Sequence, residues 1–441
     1  MVNDSFIARY FRFHEHGTNL KTEILAGVTT YFTMAYILLV APSILSKTGM
    51  NLGSVFVGTA LSATLGTFLM GLVANFPIAL APGMGLIAYF TFAVVMGMKV
   101  QWQTALGAVF LSGIIFFLLT VTKVREAIIN AIPEGLKYAV SAGIGLFIAF
   151  IGLKNAQIIV PSPATFVTFN TDMTQKPDVL LTLFGLVVTS VLLVRRVKGA
   201  IFIGMVVTAV AGMFTRQVHV PTRLFALPPS IAPTFMKLDI PSALHLGLLT
   251  IVFAFLFVDL FDNAGTLVAV ASQAGLLKDN KLPRVGRALL TDSIATMAGA
   301  ALGTSTVTSY IESSAGVASG GRTGMTSVVT ALLFAVSLFF FPLVETFASV
   351  AAITSPALII VGVLMAGNLK KIEWDSLSEA IPAFMTIIMM PLSFSIANGI
   401  AAGFVLYPLC KLVAGEGKKV HPIVYALGVV FVLRFIYLGS I

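Results

Sequence analysis

Apolar residues along this chain come in long unbroken blocks, not in the alternation of strands or the single stripe of a soluble helix. Seven blocks, near 23–45, 54–74, 78–98, 102–122, 135–153, 178–195 and 199–215, precede a polar, proline-rich stretch. Eight more follow it, near 245–274, 285–302, 304–320, 323–342, 349–367, 378–395, 397–414 and 421–438. A helix needs about 20 apolar residues to cross the hydrocarbon core of a membrane. The pattern therefore predicts an all-α polytopic membrane protein with about fourteen transmembrane segments. The last block is short and carries Arg434, so the pattern leaves its crossing open. Strands of a membrane barrel would be about 10 residues long and would alternate, which these blocks do not.

Where the blocks falter, the pattern says more. Residues 4–14 set Phe6, Ile7, Tyr10, Phe11 and Phe13 against Asp4, Arg9 and Arg12, as a short interfacial helix does. The stretch around "ALPPSIAP" reads as a long external connection between two halves. The division is then 1–20 as an N-terminal interfacial segment, 21–216 as a first seven-segment repeat, 217–244 as the connection and 245–441 as a second repeat. An odd number of segments per half makes the repeats inverted in the membrane. The third segment ("FPIALAPGMGLIAYF") and the tenth ("GTSTVTSYIESSAG") are both poor continuous helices. Paired broken segments in two inverted repeats point to a transporter site near the midplane, where irregular backbone survives only if buried or lining a cavity.

Composition agrees with this picture and removes alternatives. The mean hydropathy is +0.99. The chain is 58% hydrophobic and 10% charged. Its net charge of +9 sits in the connections, so it sets topology and does not indicate nucleic-acid binding. Arg9, Arg12, Lys21, Lys123, Arg125, the "RRVK" at 195–198, Lys278, Lys281, Arg284, Arg287, Arg322, Lys370, Lys371, Lys418 and Lys419 fall on one side. Fewer fall on the other, which predicts a cytoplasmic N-terminus. The polar start lacks the apolar core of a cleavable signal. The single Cys410 excludes an intrachain disulfide or a cysteine metal cluster, and reads as a buried helix residue. No P-loop is present, and the histidines lie at segment ends, so no cofactor or metal is expected.

The candidate chemistry is acidic. Glu312 lies in the tenth segment, and an acid at membrane depth reads by default as functional; the alternative puts it at an aqueous edge. Asp259 and Asp262 share a face of the eighth segment, with no lysine or arginine inside that segment to balance them. Three such acids cannot all stay ionised cheaply in a dry site, so at least one is expected to hold a proton. Backbone N–H groups near Gly83 and Gly85, and from Thr304 to Ser309, with Thr308 and Ser309 as candidate contacts, would suit a flat polar ligand. Gly85 equally suits close helix packing. Tyr89, Phe90, Phe261 and Tyr310 are candidates to stack on a heterocycle.

Five stretches carry a resemblance over essentially the whole chain: "GTNLKTEILAGVTTYFTMAYILLVAP", "PIALAPGMGLIAYF", "FVDLFDNAGT", "GTSTVTSYIESSAGVASGGRTG" and "MPLSFSIANGIAAGF". Together they resemble the azaguanine-like purine nucleobase permeases of the nucleobase–ascorbate transporter superfamily. The resemblance implies a core domain of segments 1–4 and 8–11 and a gate domain of segments 5–7 and 12–14. It implies import of adenine, guanine or hypoxanthine with protons, by a rocking or elevator-like motion, and a homodimer in the cell membrane. It assigns Asp259, Asp262 and Glu312 to substrate and proton, with Tyr310 beside them. One position departs: where the family carries a substrate-contacting asparagine, this chain has Ile87.

The expectation is a proton-driven purine carrier and not an enzyme. Its rivals are an anion, uracil or xanthine carrier of the same architecture, a channel, or an intramembrane enzyme. The absence of a basic residue among the site acids speaks against an anionic substrate.

Overall fold

In lipid the backbone has no partner but itself, so apolar blocks must coil into helices. The computed structural model describes residues 6–245, 249–277 and 282–438. Asp4, Lys278, Lys281 and the side chain of Arg434 lie outside the described residues.

The first half runs α1 (Phe6–Tyr10), α2 (Leu20–Met34), α3 (Ile37–Leu45), α4 (Leu52–Leu69), β1 (Leu80–Pro82), α5 (Met84–Ala88), α6 (Trp102–Val121) and α7 (Val124–Ala131). It continues through α8 (Glu134–Asn155), β2 (Ile159–Ser162), β3 (Phe166–Phe169), α9 (Pro177–Val194) and α10 (Ala200–Phe214). The second half runs α11 (Ile240–Ala243), α12 (Leu249–Gln273), α13 (Val285–Ala301), β4 (Val307–Ser309), α14 (Ser313–Ala318), α15 (Gly324–Ser337) and α16 (Phe341–Ala348). It ends with α17 (Ala351–Ala366), α18 (Leu377–Leu392), α19 (Ile396–Val413) and α20 (Pro422–Leu438).

The chain is an all-α polytopic membrane protein. Among the described residues nine helical runs are long and apolar enough to span a bilayer, and four shorter apolar helices accompany them. The ninth and tenth predicted segments are in neither group. Helix α13 is 17 residues long and carries Arg287 and Asp292, while the tenth segment is a three-residue strand followed by a six-residue helix. The block at 421–438 is helical, with Val424 and Phe431 buried. Cys410, expected to be buried, is half-buried on α19, close to the exposed Leu409 and Val413.

Local chemistry sets many ends. Asn19 and Asn51 cap α2 and α4, accepting the amides of Thr22 and Ser54 at 3.0 Å. Proline opens α9, where no amide is needed. The connection between the halves is pinned to α6: the amide of Asp239 donates to the Gln103 carbonyl and its carboxylate accepts from Thr104, at 3.1 and 3.0 Å. A β2–β3 hairpin, unforeseen in the polar link after α8, exposes Phe166 and Phe169.

The helices pack in two sets. Helices α2, α4, α6, α13 and α15 pack on one another, with α12 against α6 and α14 against α2. Helices α8, α9, α10, α17, α18 and α19 form the other. Contacts of α12 with α8 and α19, and of α5 with α8, join them. In the first set α15 crosses the turn after α4 so closely that a side chain on Gly324 would collide with the Gly71 carbonyl.

One buried acid belongs to this framework. Glu23 on α2 is fully buried and reaches the start of α15. Its Oε1 accepts the Arg322 amide at 2.9 Å. Its Oε2 accepts the amides of Thr323 and Thr326 at 3.4 and 3.2 Å, and the Thr326 hydroxyl at 2.6 Å. A carboxylate at a helix N-terminus meets both free N–H groups and the positive end of the helix dipole.

Candidate functional site

The two broken segments meet as a strand pair. Leu80, Ala81 and Pro82 run antiparallel to Ser309, Thr308 and Val307. The Gly83 amide donates to Thr306 at 2.9 Å and the Tyr310 amide to Ala79 at 3.0 Å, extending the ladder at both ends. Neighbouring hydroxyls serve several more backbone groups. Thr67 both donates to the Leu80 carbonyl and accepts its amide, at 2.8 and 2.9 Å. Ser313 accepts the Ala79 amide at 3.0 Å, and Thr296 donates to the Val307 carbonyl at 2.9 Å. Ser327 donates to the carbonyls of Phe76 and Ile78 at 2.7 and 3.1 Å. The Tyr310 hydroxyl donates to the Pro82 carbonyl at 2.5 Å, so its polar end serves the backbone.

Other hydroxyls of the same stretch are buried without a hydrogen-bond partner: Thr304, Ser305, Thr306, Thr308 and Ser309. The amides at the start of α14 are already used. Those of Ser313, Ser314 and Ala315 donate to the carbonyls of Tyr310, Ile311 and Glu312 at 3.1, 2.9 and 2.9 Å. A tight turn thus consumes the N–H groups that this helix start would otherwise present.

The acids gather beside this pair. A Cβ built on Gly83 would lie 2.7 Å from the Thr308 methyl and 3.7 Å from Asp262 Oδ2, so strand, helix start and carboxylate converge where only glycine fits. Glu312 immediately precedes α14, and its Oε1 accepts the Tyr36 hydroxyl at 2.5 Å. Asp262 and Glu312 are half-buried, whereas Asp259 is sealed. Both oxygens of Asp259 lack a hydrogen bond; Thr308 stands beside it without reaching hydrogen-bond geometry.

The acids do have a basic neighbour, contrary to the expectation from α12 alone. Arg125, assigned by its position to an aqueous connection, is fully buried. Helix α7 folds back against α6 and α12, which carries its second residue inward. Its Nη2 lies 2.7 Å from Asp292 Oδ2 and 3.7 Å from Asp259 Oδ2. The guanidinium carbon sits 3.9 Å from the Phe116 ring centroid.

The model described as "Permease family" matches residues 21–402. The guanine/hypoxanthine permease PbuG of Bacillus subtilis is 52% identical, over 97% of this chain and 99% of that protein. The adenine permease AdeP of Escherichia coli is 42% identical, over 98% of this chain and 97% of that protein. The solved transmembrane domain of the bicarbonate transporter BicA from a cyanobacterium aligns with a TM-score of 0.65 at 15% identity, over 87% of this chain and 97% of that one, and shares its fold. The chain belongs to the Permease family. It is a transport protein and not an enzyme.

In this permease the remaining candidate residues fall on packing surfaces. Gly85 lies where a side chain would meet Ile144 of α8 at 2.6 Å and Ile396 of α19 at 3.7 Å, which favours the close-packing alternative. Ile87 is fully buried in the same core. Tyr89 and Phe90 pack on Phe255, and Phe261 packs on Phe404. Sequence reasoning missed four polar residues of this permease: Tyr36, Arg125, Asp292 and Glu23. Asp292 could have been found by the rule that found Asp259, an acid inside an apolar block. Tyr36 carries no such signal.

Proposed function

We propose that this permease imports purine nucleobases together with protons. The single observation that carries the reading is the pair of half-buried carboxylates, Asp262 and Glu312, beside a strand pair whose hydroxyls have no partner. A purine presents N–H donors and ring-nitrogen acceptors on one flat edge, and such a surface complements them. The names of PbuG and AdeP support guanine, hypoxanthine and adenine as the substrate class. Glu312 and Asp262 accept the N–H groups of the base, while Thr308 and Ser309 supply hydroxyls. Gly85 and Ile87 shape the apolar wall, and Tyr310 holds the Pro82 carbonyl in position. Asp259, sealed from water, carries the coupling proton, with Asp262 and Glu312 sharing in its transfer. Arg125 is already held by two carboxylates and offers no charge to an anion.

The motion is of a core, segments 1–4 and 8–11, against a gate, segments 5–7 and 12–14. The two inverted repeats are 21–216 and 245–441. The permease works as a homodimer in the cell membrane with a cytoplasmic N-terminus. Uptake of labelled adenine, guanine, hypoxanthine and uracil into cells, with mutual competition, tests the substrate class. Saturable uptake blocked by purines and not by uracil is the expected result. Non-saturable flux would indicate a channel, and uracil as the better substrate would overturn the purine assignment.

A further inference from the structure

Arg125, Asp259 and Asp292 are all fully buried, and the proposed substrate contacts do not use Arg125 or Asp292. Arg125 follows closely on Lys123, whose backbone is left-handed with φ of 60°, and it is the second residue of α7, the helix between α6 and α8. Its Nη1 donates to the Leu289 carbonyl at 3.2 Å and the Ser293 hydroxyl at 3.3 Å, which ties the guanidinium to α13. One guanidinium faces two carboxylates. With both ionised, the trio has a net negative charge in a place where an unbalanced charge is costly. The distances say which acid is left short. Asp292 Oδ2 takes the close contact at 2.7 Å, and Asp259 Oδ2 stands off at 3.7 Å with no hydrogen bond.

We propose that Arg125 and Asp292 are positioning residues that set how readily Asp259 takes up and gives up its proton. Asp292 draws the guanidinium toward α13. Asp259 is thereby left under-neutralised, and a proton completes its balance. The groups that face Asp259 are Arg125 from α7, Asp292 from α13, Asp262 on its own helix and Thr308 from β4, with Glu312 acting on Asp262. This inference rests on the proton-symport reading and names the residues that tune it.

Two substitutions push the balance in opposite directions. Asp292→Asn keeps the shape but leaves the whole cation to Asp259, which is then held as the anion. Purified protein in proteoliposomes should show the alkaline limb of hypoxanthine uptake moved to lower pH by about one unit or more. Arg125→Lys keeps the charge but loses the fork that holds it, so the same limb should move to higher pH. Both variants conserve a cation with at least one carboxylate, and their folding is checked by thermal melting in detergent. Lower melting temperatures with pH profiles superimposable on the wild type would mean a purely structural role and would overturn the inference alone. A wild-type profile that is flat with pH would remove the symport reading, and this inference with it.

Discussion

Two buried acids in this permease, Glu23 and Asp259, are equally hidden from water and differently supplied with partners. Glu23 accepts three amides and a hydroxyl at the start of α15. Asp259 has no hydrogen bond, and its cation stands 3.7 Å away. The first arrangement spends the charge on architecture. The second leaves it available, as the proposed role of proton carrier requires, because a group that binds and releases a proton cannot be fully satisfied in one state. Burial is common to both acids; what each carboxylate touches is what separates them.

The comparison can be broken at several points. Glu23→Ala strands the amides of Arg322 and Thr323 and the Thr326 hydroxyl, and should cost about 3 kcal/mol or more, seen as a sharp fall in melting temperature and in membrane protein level. A variant that melts like the wild type would deny Glu23 its architectural role. Asp259→Asn should do the reverse. It leaves Arg125 and Asp292 as a neutral pair, so stability is kept, while proton-driven uptake falls at least about tenfold, or ~1.4 kcal/mol. Wild-type accumulation by this variant would take the proton off Asp259. Tyr36→Phe removes the donor to Glu312 and should weaken uptake by about 1 kcal/mol, read as a several-fold change in KM or rate. An unchanged titration of hypoxanthine binding to the purified variant would show that Glu312 does not need that donor. Smallest is Ile87→Asn, which supplies the amide that the family resemblance leads one to expect at this position. A few-fold tighter KM for purines is expected, set against about 1 kcal/mol of lost stability from burying an amide. An unaltered KM would mean that position 87 does not face the substrate.

Much of the fold was legible because the membrane enforces it. Unbroken apolar blocks must be helices, and Pro77, Pro82 and Gly83 marked the place where one is not. The hydroxyl run at 303–316 marked the other, and the strand pair joins the two. The acids Asp259, Asp262 and Glu312 were legible for the same reason, being costly in lipid. Their partners were not. Tyr36 and Glu312 are 276 residues apart, and Arg125 and Asp292 are 167 apart. No local period links such pairs. Arg125 was misread because a cation beside a turn usually faces water, and only the fold-back of α7 reverses that. The β2–β3 hairpin and α7 itself were missed because short elements in polar links leave little periodicity.

The central claim is that a proton gradient drives purine accumulation through the site acids. Its most direct measurement is labelled hypoxanthine uptake into proteoliposomes with an imposed alkaline interior, for the wild type and for Glu312→Gln. The account predicts transient accumulation above equilibrium by the wild type, abolished by a protonophore, and little or none by Glu312→Gln. Accumulation that survives collapse of the gradient, or that Glu312→Gln sustains at the wild-type level, would contradict it.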